Sequence, residues 1–274
     1  MAEYISSNET SPLKGRLYNN SSETDLDLSK IAEHLMEKGI FEEVEVRDSF
    51  PEEYEDEIEQ IATALAETQV RNLEKPERDF QTESRDIDFE KKLLLGEESG
   101  LTSVLYDGFR LSKAFSDLLP EDERSDSYLH IIFTDRFFAT WKPATKRYHA
   151  RVSAYGFPSV ISTAGVVDAP ARPWGSYKIE KEGDGLKVVD ESEEFEGSYV
   201  AHGDERLTEI MKGYALQAVF YHLHLGPFCN NKKCALYNPH LQVNIVKSKL
   251  SEPDLCTKHR KVLEELRTKV SDNR

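Results

Sequence analysis

Near the C-terminus, residues 222–238 read HLHLGPFCNNKKCALYN and residues 255–261 read LCTKHRK. The two stretches contain all three cysteines of the chain, and a histidine follows the last of them in a C-x2-H step. Thiolate and imidazole are the ligands that zinc prefers in tetrahedral protein sites, where they often occur as two pairs that are close in sequence. The spacing therefore predicts one zinc per chain, bound by Cys229, Cys234, Cys256 and His259.

The predicted metal has a structural role, because four protein ligands close the site and leave no position for an activated water. Twenty-one residues separate the two ligand pairs, which is enough for a helix between them. Lysines beside the thiols, at positions 232, 233 and 258, favour the thiolate form. The alternative is three ordinary buried cysteines and a surface histidine. On the zinc interpretation, metal binding holds the segment 226–262 together and contributes to folding.

Composition narrows the classes of function. The 274 residues carry a formal net charge of −16, which disfavours nucleic acids and anionic membranes as general partners. An odd number of cysteines argues against a disulfide framework. No apolar stretch approaches the length of a membrane span, and the polar N-terminus lacks a signal-peptide core. We therefore expect a cytoplasmic protein with no membrane partner.

The N-terminal third predicts an α/β fold. Residues 15–20 have the pattern of a strand, and the following Leu28, Ile31 and Leu35 are spaced as on a helix that ends at Gly39. Residues 41–50 alternate apolar and charged side chains, as a half-buried strand does. Strand, helix and strand in succession are typical of a layered α/β structure.

The remaining segments complete a mixed sheet with flanking helices. Further helices are predicted over 54–73, 206–226 and the C-terminal end, and strands over 128–141 and 147–165, with a hairpin within 178–200. The charged segment 74–100 is interpreted as a loop or lid with a short helix. Residues 1–13 are predicted to be a flexible tail, and residues 14–274 a single domain.

The cysteine pattern also resembles that of a known family. C-x4-C, an apolar residue at Leu236 and a distal C-x2-H step look like the C-terminal signature of the archaemetzincins, a family of zinc metallopeptidases. The segments IIFTDRFF and HARVSAYGFPSVISTAGVV are similar to strands of that family. The resemblance is closest to archaeal proteins of unknown function labelled as metallopeptidases, and implies a metzincin-like mixed sheet carrying the structural zinc.

The catalytic motif of that family, H-E-x-x-H-x-x-G-x-x-H, does not occur in this chain. Counted back from Cys229 without gaps, its three histidines fall on Ala218, His222 and Phe228, and its glutamate on Val219. Only His222 matches, whereas the chemistry needs three imidazoles and a carboxylate base. Other histidines could converge with His222, but the sequence does not show it; they are His149, His202 and His240.

Polar residues at the ends of apolar strands are candidates for a pocket. Strand-end capping and surface ion pairing explain them equally well. With His222, the candidate pocket residues are Asp135, Arg136, His149, Arg151, Ser162 and Thr163.

Three functions remain open at this point. The first is a catalytically inactive zinc protein that binds a protein or peptide through the former catalytic cleft. The second is a zinc metallopeptidase with unconventional ligands, which predicts a second, exchangeable zinc and activity that depends on His222. The third is a cytoplasmic assembly or translation-machinery partner whose acidic surface binds basic proteins.

Overall fold

A computed structural model describes residues 11–48, 58–76, 82–97, 104–170, 177–182, 185–190, 197–251 and 254–272. Residues 1–10 of the expected tail and parts of the expected lid, 77–81 and 98–100, lie outside these ranges. The first strand begins at Leu13, two residues before the predicted start, and the Leu13 side chain is buried.

The centre of the fold is a five-stranded mixed sheet with strand order β2-β1-β4-β8-β7. The first four strands in that order are parallel, and β7 runs antiparallel to β8 at the edge. The strands are β1 (Leu13–Asn20), β2 (Phe41–Arg47), β4 (Tyr128–Thr134), β7 (Ser153–Ala154) and β8 (Ser159–Ser162).

Two smaller sheets accompany it. Three strands pair in the order β3-β5-β6, with β3 parallel to β5 and β5 antiparallel to β6. They are β3 (Tyr106–Asp107), β5 (Phe138–Lys142) and β6 (Arg147–Arg151). The third sheet is the predicted hairpin, formed by β9 (Tyr177–Glu182) and β10 (Gly185–Asp190).

Helices cover both faces of the central sheet. In chain order they are α1 (Leu28–Met36), α2 (Ile58–Ala66), α3 (Ser84–Leu94), α4 (Gly108–Asp117), α5 (Thr163–Asp168), α6 (Leu207–His222), α7 (Gln242–Ile245) and α8 (Thr257–Asp272). A 3-10 turn (Glu121–Glu123) and a π-helical segment (Val246–Ser251) complete the described elements. The predicted mixed sheet with flanking helices is therefore confirmed.

The alternation of side chains along β4 explains the two cores. Ile131 and Phe133 point to one face and pack with α1 and α6, whereas Ile132 points to the other and packs with α2 and α4. Because both faces are covered, β4 reads as a continuous apolar run rather than an alternating one. Helix α6 is buried along most of its length for the same reason.

The segment interpreted as a loop or lid with a short helix contains helix α3, which is anchored in the core. Glu90 on α3 is fully buried and accepts hydrogen bonds from Tyr106 Oη at 2.6 Å, Gln69 Nε2 at 2.9 Å and Arg136 Nη2 at 2.8 Å. A buried carboxylate with three donors is satisfied and anchors its helix. The high charge of this segment hid the burial of the helix, because its main anchor is polar.

Helix α1 shows how local signals set its ends. The Asp27 carboxylate accepts hydrogen bonds from the backbone N–H groups of Ser29 and Lys30 at 3.0 and 3.2 Å, which caps the first turn. After the helix, Gly39 has a φ of +69°, a conformation that a side chain disfavours. The chain therefore turns where the sequence predicts, and enters β2.

Candidate functional site

The four predicted zinc ligands lie on two adjoining segments. Cys229 and Cys234 belong to the loop after α6, and Cys256 and His259 lie at the start of α8. Backbone hydrogen bonds shape the loop, since Cys229 N–H donates to Leu236 O at 2.9 Å and Cys234 N–H to Asn231 O at 3.0 Å. The second segment is joined to the first by Ala235 N–H, which donates to Asp254 O at 2.9 Å.

The ligand atoms of the four residues all lie within 4.8 Å of one another. Cys229 Sγ is 3.9 Å from Cys256 Sγ, and His259 Nδ1 is 3.2 Å from Cys256 Sγ and 3.6 Å from Cys234 Sγ. In a tetrahedron with zinc–sulfur bonds of about 2.3 Å, neighbouring sulfurs are roughly 3.8 Å apart. The donor set and the spacing both fit zinc.

Backbone amides surround the sulfurs. Asn231 N lies 3.3 Å from Cys229 Sγ, and Cys256 N lies 3.4 Å from Cys234 Sγ. N–H groups aimed at sulfur favour the thiolate over the thiol. The His259 ring is held edge-on against Phe220, with ring centres 5.6 Å apart, which fixes the direction of its Nδ1.

The protonation states suit a site that takes up metal by releasing protons. Burial raises the pKa of Cys234 to about 11. Burial also opposes ionisation of Cys256, but hydrogen bonds from the backbone of His259 and from the neighbouring thiols outweigh it and lower its pKa. Burial and the nearby Lys258 charge lower the pKa of His259, so its imidazole is neutral and able to ligate.

A buried lysine lies beside this cluster. Lys249 is 1% exposed; its Nζ donates to Ala235 O at 2.5 Å and lies 4.6 Å from the ring centre of Tyr214. Burial lowers the pKa of Lys249 to about 7, although the nearby Cys234 opposes the shift. The lysine crosses the helix at Gly213, where an added Cβ would lie 2.5 Å from Lys249 Cδ.

A cavity of about 470 Å³ adjoins the loop after α6 that contains Cys229 and Cys234, which we call the metal-ligating loop. One wall is the strand-edge segment from Ala150 to Tyr155, and the opposite wall is formed by the loop residues Pro227, Phe228 and 238–240. Phe228 directly precedes the ligand Cys229, and residue 237 pairs with Cys229 in an isolated bridge. The metal-ligating loop is thus also the cavity wall.

Tyr155 links the three parts of this cavity. Its hydroxyl donates to Gln217 Oε1 at 2.7 Å, and its ring centre lies 5.9 Å from those of Tyr221 and Phe228. Gln217 Nε2 donates to Leu236 O and to the Tyr237 carbonyl, each at 3.0 Å. Helix α6, the strand edge and the metal-ligating loop therefore meet at one buried amide.

The sequence frame counted from Cys229 selects the wrong face of α6. Ala218 is buried in the core, and His222 Nε2 donates to the backbone oxygen of Asp126 at 2.8 Å. Burial lowers the pKa of His222, which keeps the ring neutral. Gln217 and Tyr221, one helical turn apart, face the cavity side instead. After the helix ends, His224 adopts a φ of +56°.

Of the other six predicted pocket residues, five do not line the cavity: His149, and four at the ends of strands. Asp135 Oδ1 accepts from Thr163 Oγ1 at 2.7 Å, and its Oδ2 accepts from Ser22 Oγ at 2.7 Å. Ser162 Oγ donates to Arg136 O at 2.8 Å and caps α5. Arg136 pairs with Glu90 inside the core. All four are buried and serve to join strand ends.

Arg151 lines the cavity, whereas His149, two residues before it on β6, does not. Arg151 Nε donates to Thr140 Oγ1 at 2.9 Å, and His149 Nε2 lies 2.8 Å from Thr145 Oγ1. Sequence reasoning missed the aromatic members of the cavity. These aromatic residues could have been found in the sequence as large side chains that do not fit the apolar periodicity of the predicted helices and strands.

The other histidines do not form a second metal site. His240 lines the cavity, whereas His202 lies 3.5 Å from Glu23 and from Asp168. Among the residues that the structure describes, only the Cys3His group brings three or more such ligand atoms together. Among the described residues, no helix is long and apolar enough to cross a membrane.

Comparisons with known proteins place these features in a family. A family model described as "Probable metallopeptidase family (DUF6775)" matches residues 11–266. The fold is similar to that of archaemetzincin from Methanopyrus kandleri, with 10% sequence identity, a TM-score of 0.45, and a match covering 96% of this chain and 98% of that chain. No curated protein sequence matches the chain. The resemblance noted in the sequence agrees with the family match.

Proposed function

This chain belongs to the probable metallopeptidase family matched over residues 11–266, and we propose that it binds a protein or peptide segment without cleaving it. In this proposal the cavity beside β7 is the binding site, and one zinc per chain holds the wall of that cavity in place. The partner is an extended segment of another protein.

The proposed zinc is structural rather than catalytic. Three thiolates and one imidazole complete a tetrahedral shell, so substrate or water finds no open position. One of the four ligands, Cys229, borders two segments of the cavity wall, because Phe228 precedes it and its bridge partner at residue 237 precedes residues 238–240. Bound zinc would therefore order the binding surface as well as the C-terminal region.

The observation that carries the proposal is the set of side chains around Tyr155. A catalytic zinc needs imidazole or carboxylate ligands and a base that can take a proton from water. Here an amide, a phenol and a phenyl ring meet at that point, from Gln217, Tyr221 and Phe228. Among the described residues, no aspartate or glutamate lines the cavity. These residues do not fit a catalytic metal.

The same cavity has the features of a peptide-binding surface. Phe109, Tyr221 and Phe228 are 63%, 40% and 51% exposed and all line it. Exposed aromatic side chains grouped at one place mark interaction sites. Strand β7 forms the edge of the central sheet, where an extended segment can add by main-chain hydrogen bonds. A volume of about 470 Å³ accommodates a few residues of such a segment.

A second candidate, a metallopeptidase with unconventional ligands, is favoured by the family description. It requires a second zinc that exchanges readily and activity that is lost in His222→Ala. The third candidate, binding of basic proteins to the acidic surface, rests on the net charge of −16 alone. It predicts co-purification of partners that is lost as salt is raised.

The test combines metal analysis with peptide binding. We expect mass spectrometry of tag-free protein to give one zinc per chain, released only when the C-terminal region unfolds. A peptide library screened against the wild type should give ligands whose binding falls in Tyr221→Ala and Phe228→Ala. Leu95→Ala is the matched control, because Leu95 is 52% exposed and lies outside the cavity.

Other outcomes would overturn the proposal. Cleavage of the peptides, with a second and easily removed zinc, would identify an enzyme. Peptide binding that is equal in the cavity variants and the wild type would place the binding surface elsewhere.

A further inference from the structure

Four cationic or potentially cationic side chains lie together on the β5–β6 hairpin. Arg147, His149 and Arg151 alternate along β6, so their side chains share one face of the strand. Lys142 on β5 pairs directly with Arg147 and extends the row. We call Lys142, Arg147, His149 and Arg151 the basic stripe. Its last member, Arg151, lines the cavity.

The basic stripe lacks the acidic partners that other arginines have. Among the described residues, no carboxylate lies within ion-pair distance of Lys142, Arg147 or Arg151, and none lines the cavity. Arg16, Arg136 and Arg206, by contrast, each pair with a carboxylate. Although the chain has a net charge of −16, these basic side chains without a carboxylate partner among the described residues form a local positive patch.

Arg151 is prepared to bind an anion. Its Nε donates to Thr140 Oγ1 at 2.9 Å, which orients the planar guanidinium while both terminal nitrogens make no hydrogen bond to the described residues. A guanidinium held in this way can donate two parallel hydrogen bonds to one carboxylate. Burial, together with repulsion by the neighbouring Arg147, Lys142 and Arg151, lowers the pKa of His149. That repulsion would be relieved by a bound anion.

The backbone beside the stripe suits an extended ligand. Strand β6 is the edge of the three-stranded sheet, and β7, which follows it directly, is the edge of the central sheet. Alternate N–H and C=O groups of an edge strand point away from the sheet and can pair with another strand. Side chains of such a ligand alternate with the same period of two residues as Arg147, His149 and Arg151.

We propose that the basic stripe and the cavity bind an extended acidic peptide with carboxylates at every second residue. Four residues of strand span roughly 13 Å, so carboxylates at positions i, i+2 and i+4 would face Arg147, His149 and Arg151. The residues next to Arg151 would enter the cavity among Phe109, Tyr221 and Phe228. This inference rests on the proposed peptide-binding function and names its ligand.

A peptide fits these observations better than a nucleic acid. Both carry negative charge, but only a peptide can form main-chain hydrogen bonds with the free strand edge. A nucleic-acid strand also continues its charge beyond the short stripe and would meet the acidic remainder of the surface.

The experiment measures fluorescence anisotropy with three labelled octapeptides. One alternates glutamate and valine, one has the same four glutamates in a block, and one has glutamine in place of glutamate. We expect the alternating peptide to bind tightest. Arg151→Gln should weaken it about tenfold, as for a lost charge-assisted hydrogen bond, and Arg147→Gln about threefold, as for an exposed pair.

The matched controls remove one positive charge elsewhere. Lys247→Gln on the π-helical segment and Lys261→Gln on α8 change exposed lysines outside the stripe and the cavity. Their binding should stay within about twofold of the wild type, since distant surface charges are screened. Circular dichroism of each variant verifies that the fold is retained.

Several results would overturn the inference. These are equal binding of the alternating and block peptides, no effect of Arg147→Gln and Arg151→Gln, no binding at all, or tighter binding of oligouridylate through the same arginines. Neutral peptides that depend on Tyr221 and Phe228, with no gain from glutamate, would refute the acidic ligand while leaving the peptide-binding function intact. Acidic peptides that ignore the Tyr221→Ala and Phe228→Ala changes would support the stripe and refute the cavity.

Discussion

Removal of one zinc ligand, Cys234→Ser, should loosen the C-terminal region while the central sheet stays intact. Cys234 is fully buried, and its sulfur lies 3.6 Å from His259 Nδ1. Structural zinc contributes about 10–16 kcal/mol to folding in small zinc domains. Loss of one ligand in four should therefore cost about 3 kcal/mol. For a chain of this size we expect the melting temperature to fall by roughly 6–12 °C.

Hydrogen exchange distinguishes a local from a general effect. We expect faster exchange in residues 227–240 and 254–260 of Cys234→Ser, because these segments contain the ligands and the backbone bonds between them. Exchange in β4 should stay as slow as in the wild type, since that strand is buried on both faces by α1, α6, α2 and α4. Wild-type protein treated with a chelator should give the same pattern.

The control and the refuting result follow from the same map. Ser248→Ala removes a buried hydroxyl on the π-helical segment that donates to Asn244 O at 2.7 Å, and it touches no ligand. It should leave exchange in 227–240 unchanged. If Cys234→Ser instead accelerated exchange uniformly, including β4, or changed nothing, the metal would not be a local clamp on the cavity wall.

Three further predictions concern single side chains. Gly213→Ala should destabilise the protein by about 1–3 kcal/mol, because the new Cβ would lie 2.5 Å from Lys249 Cδ. Adding Lys249→Ala in a double variant should relieve most of that cost. If the two losses measured by denaturant unfolding were additive, the two sites would be independent. Burial lowers the pKa of His130 to about 4, so below about pH 6.5 the unfolded chain binds a proton that the native chain does not bind. The free energy of unfolding should therefore fall by about 2–3 kcal/mol as the pH drops from 6.5 to 4. An equally steep fall in the variant His130→Gln would contradict this assignment. Glu90→Gln should lower the free energy of unfolding by about 3 kcal/mol or more, because the buried Arg136 guanidinium loses its charged partner. The control Glu209→Gln breaks a surface pair with Lys212 and should lower it by less than about 1 kcal/mol.

The elements with strong periodicity were readable from the sequence. The buried strand β4, the strand β2 and the capped helix α1 each have a local signal in the sequence. The zinc-ligand spacing was also readable, because two short motifs define the four residues. In these cases the residue pattern and the three-dimensional environment depend on the same few neighbours.

Features that depend on distant neighbours were not readable. Glu90 looks like a surface residue in a charged segment, yet Gln69, Tyr106 and Arg136 surround it in the fold. The face of α6 that meets Tyr155 depends on a strand edge about sixty residues away, so counting from Cys229 selected His222 instead of Tyr221. A one-residue offset at the end of a helix changes which side chains face a cavity.

The arrangement around Tyr155 also defines what a designer would have to change to build a metallohydrolase on this scaffold. Histidines at 217 and 221 would present two imidazoles one helical turn apart on the cavity side, whereas histidines at 218 and 222 would point into the core and toward Asp126. The Tyr155 hydroxyl would have to be removed, because it occupies the space between them. Replacing Gln217 would also remove its two hydrogen bonds to the metal-ligating loop. A catalytic ligand and the stability of that loop therefore require different residues at the same position.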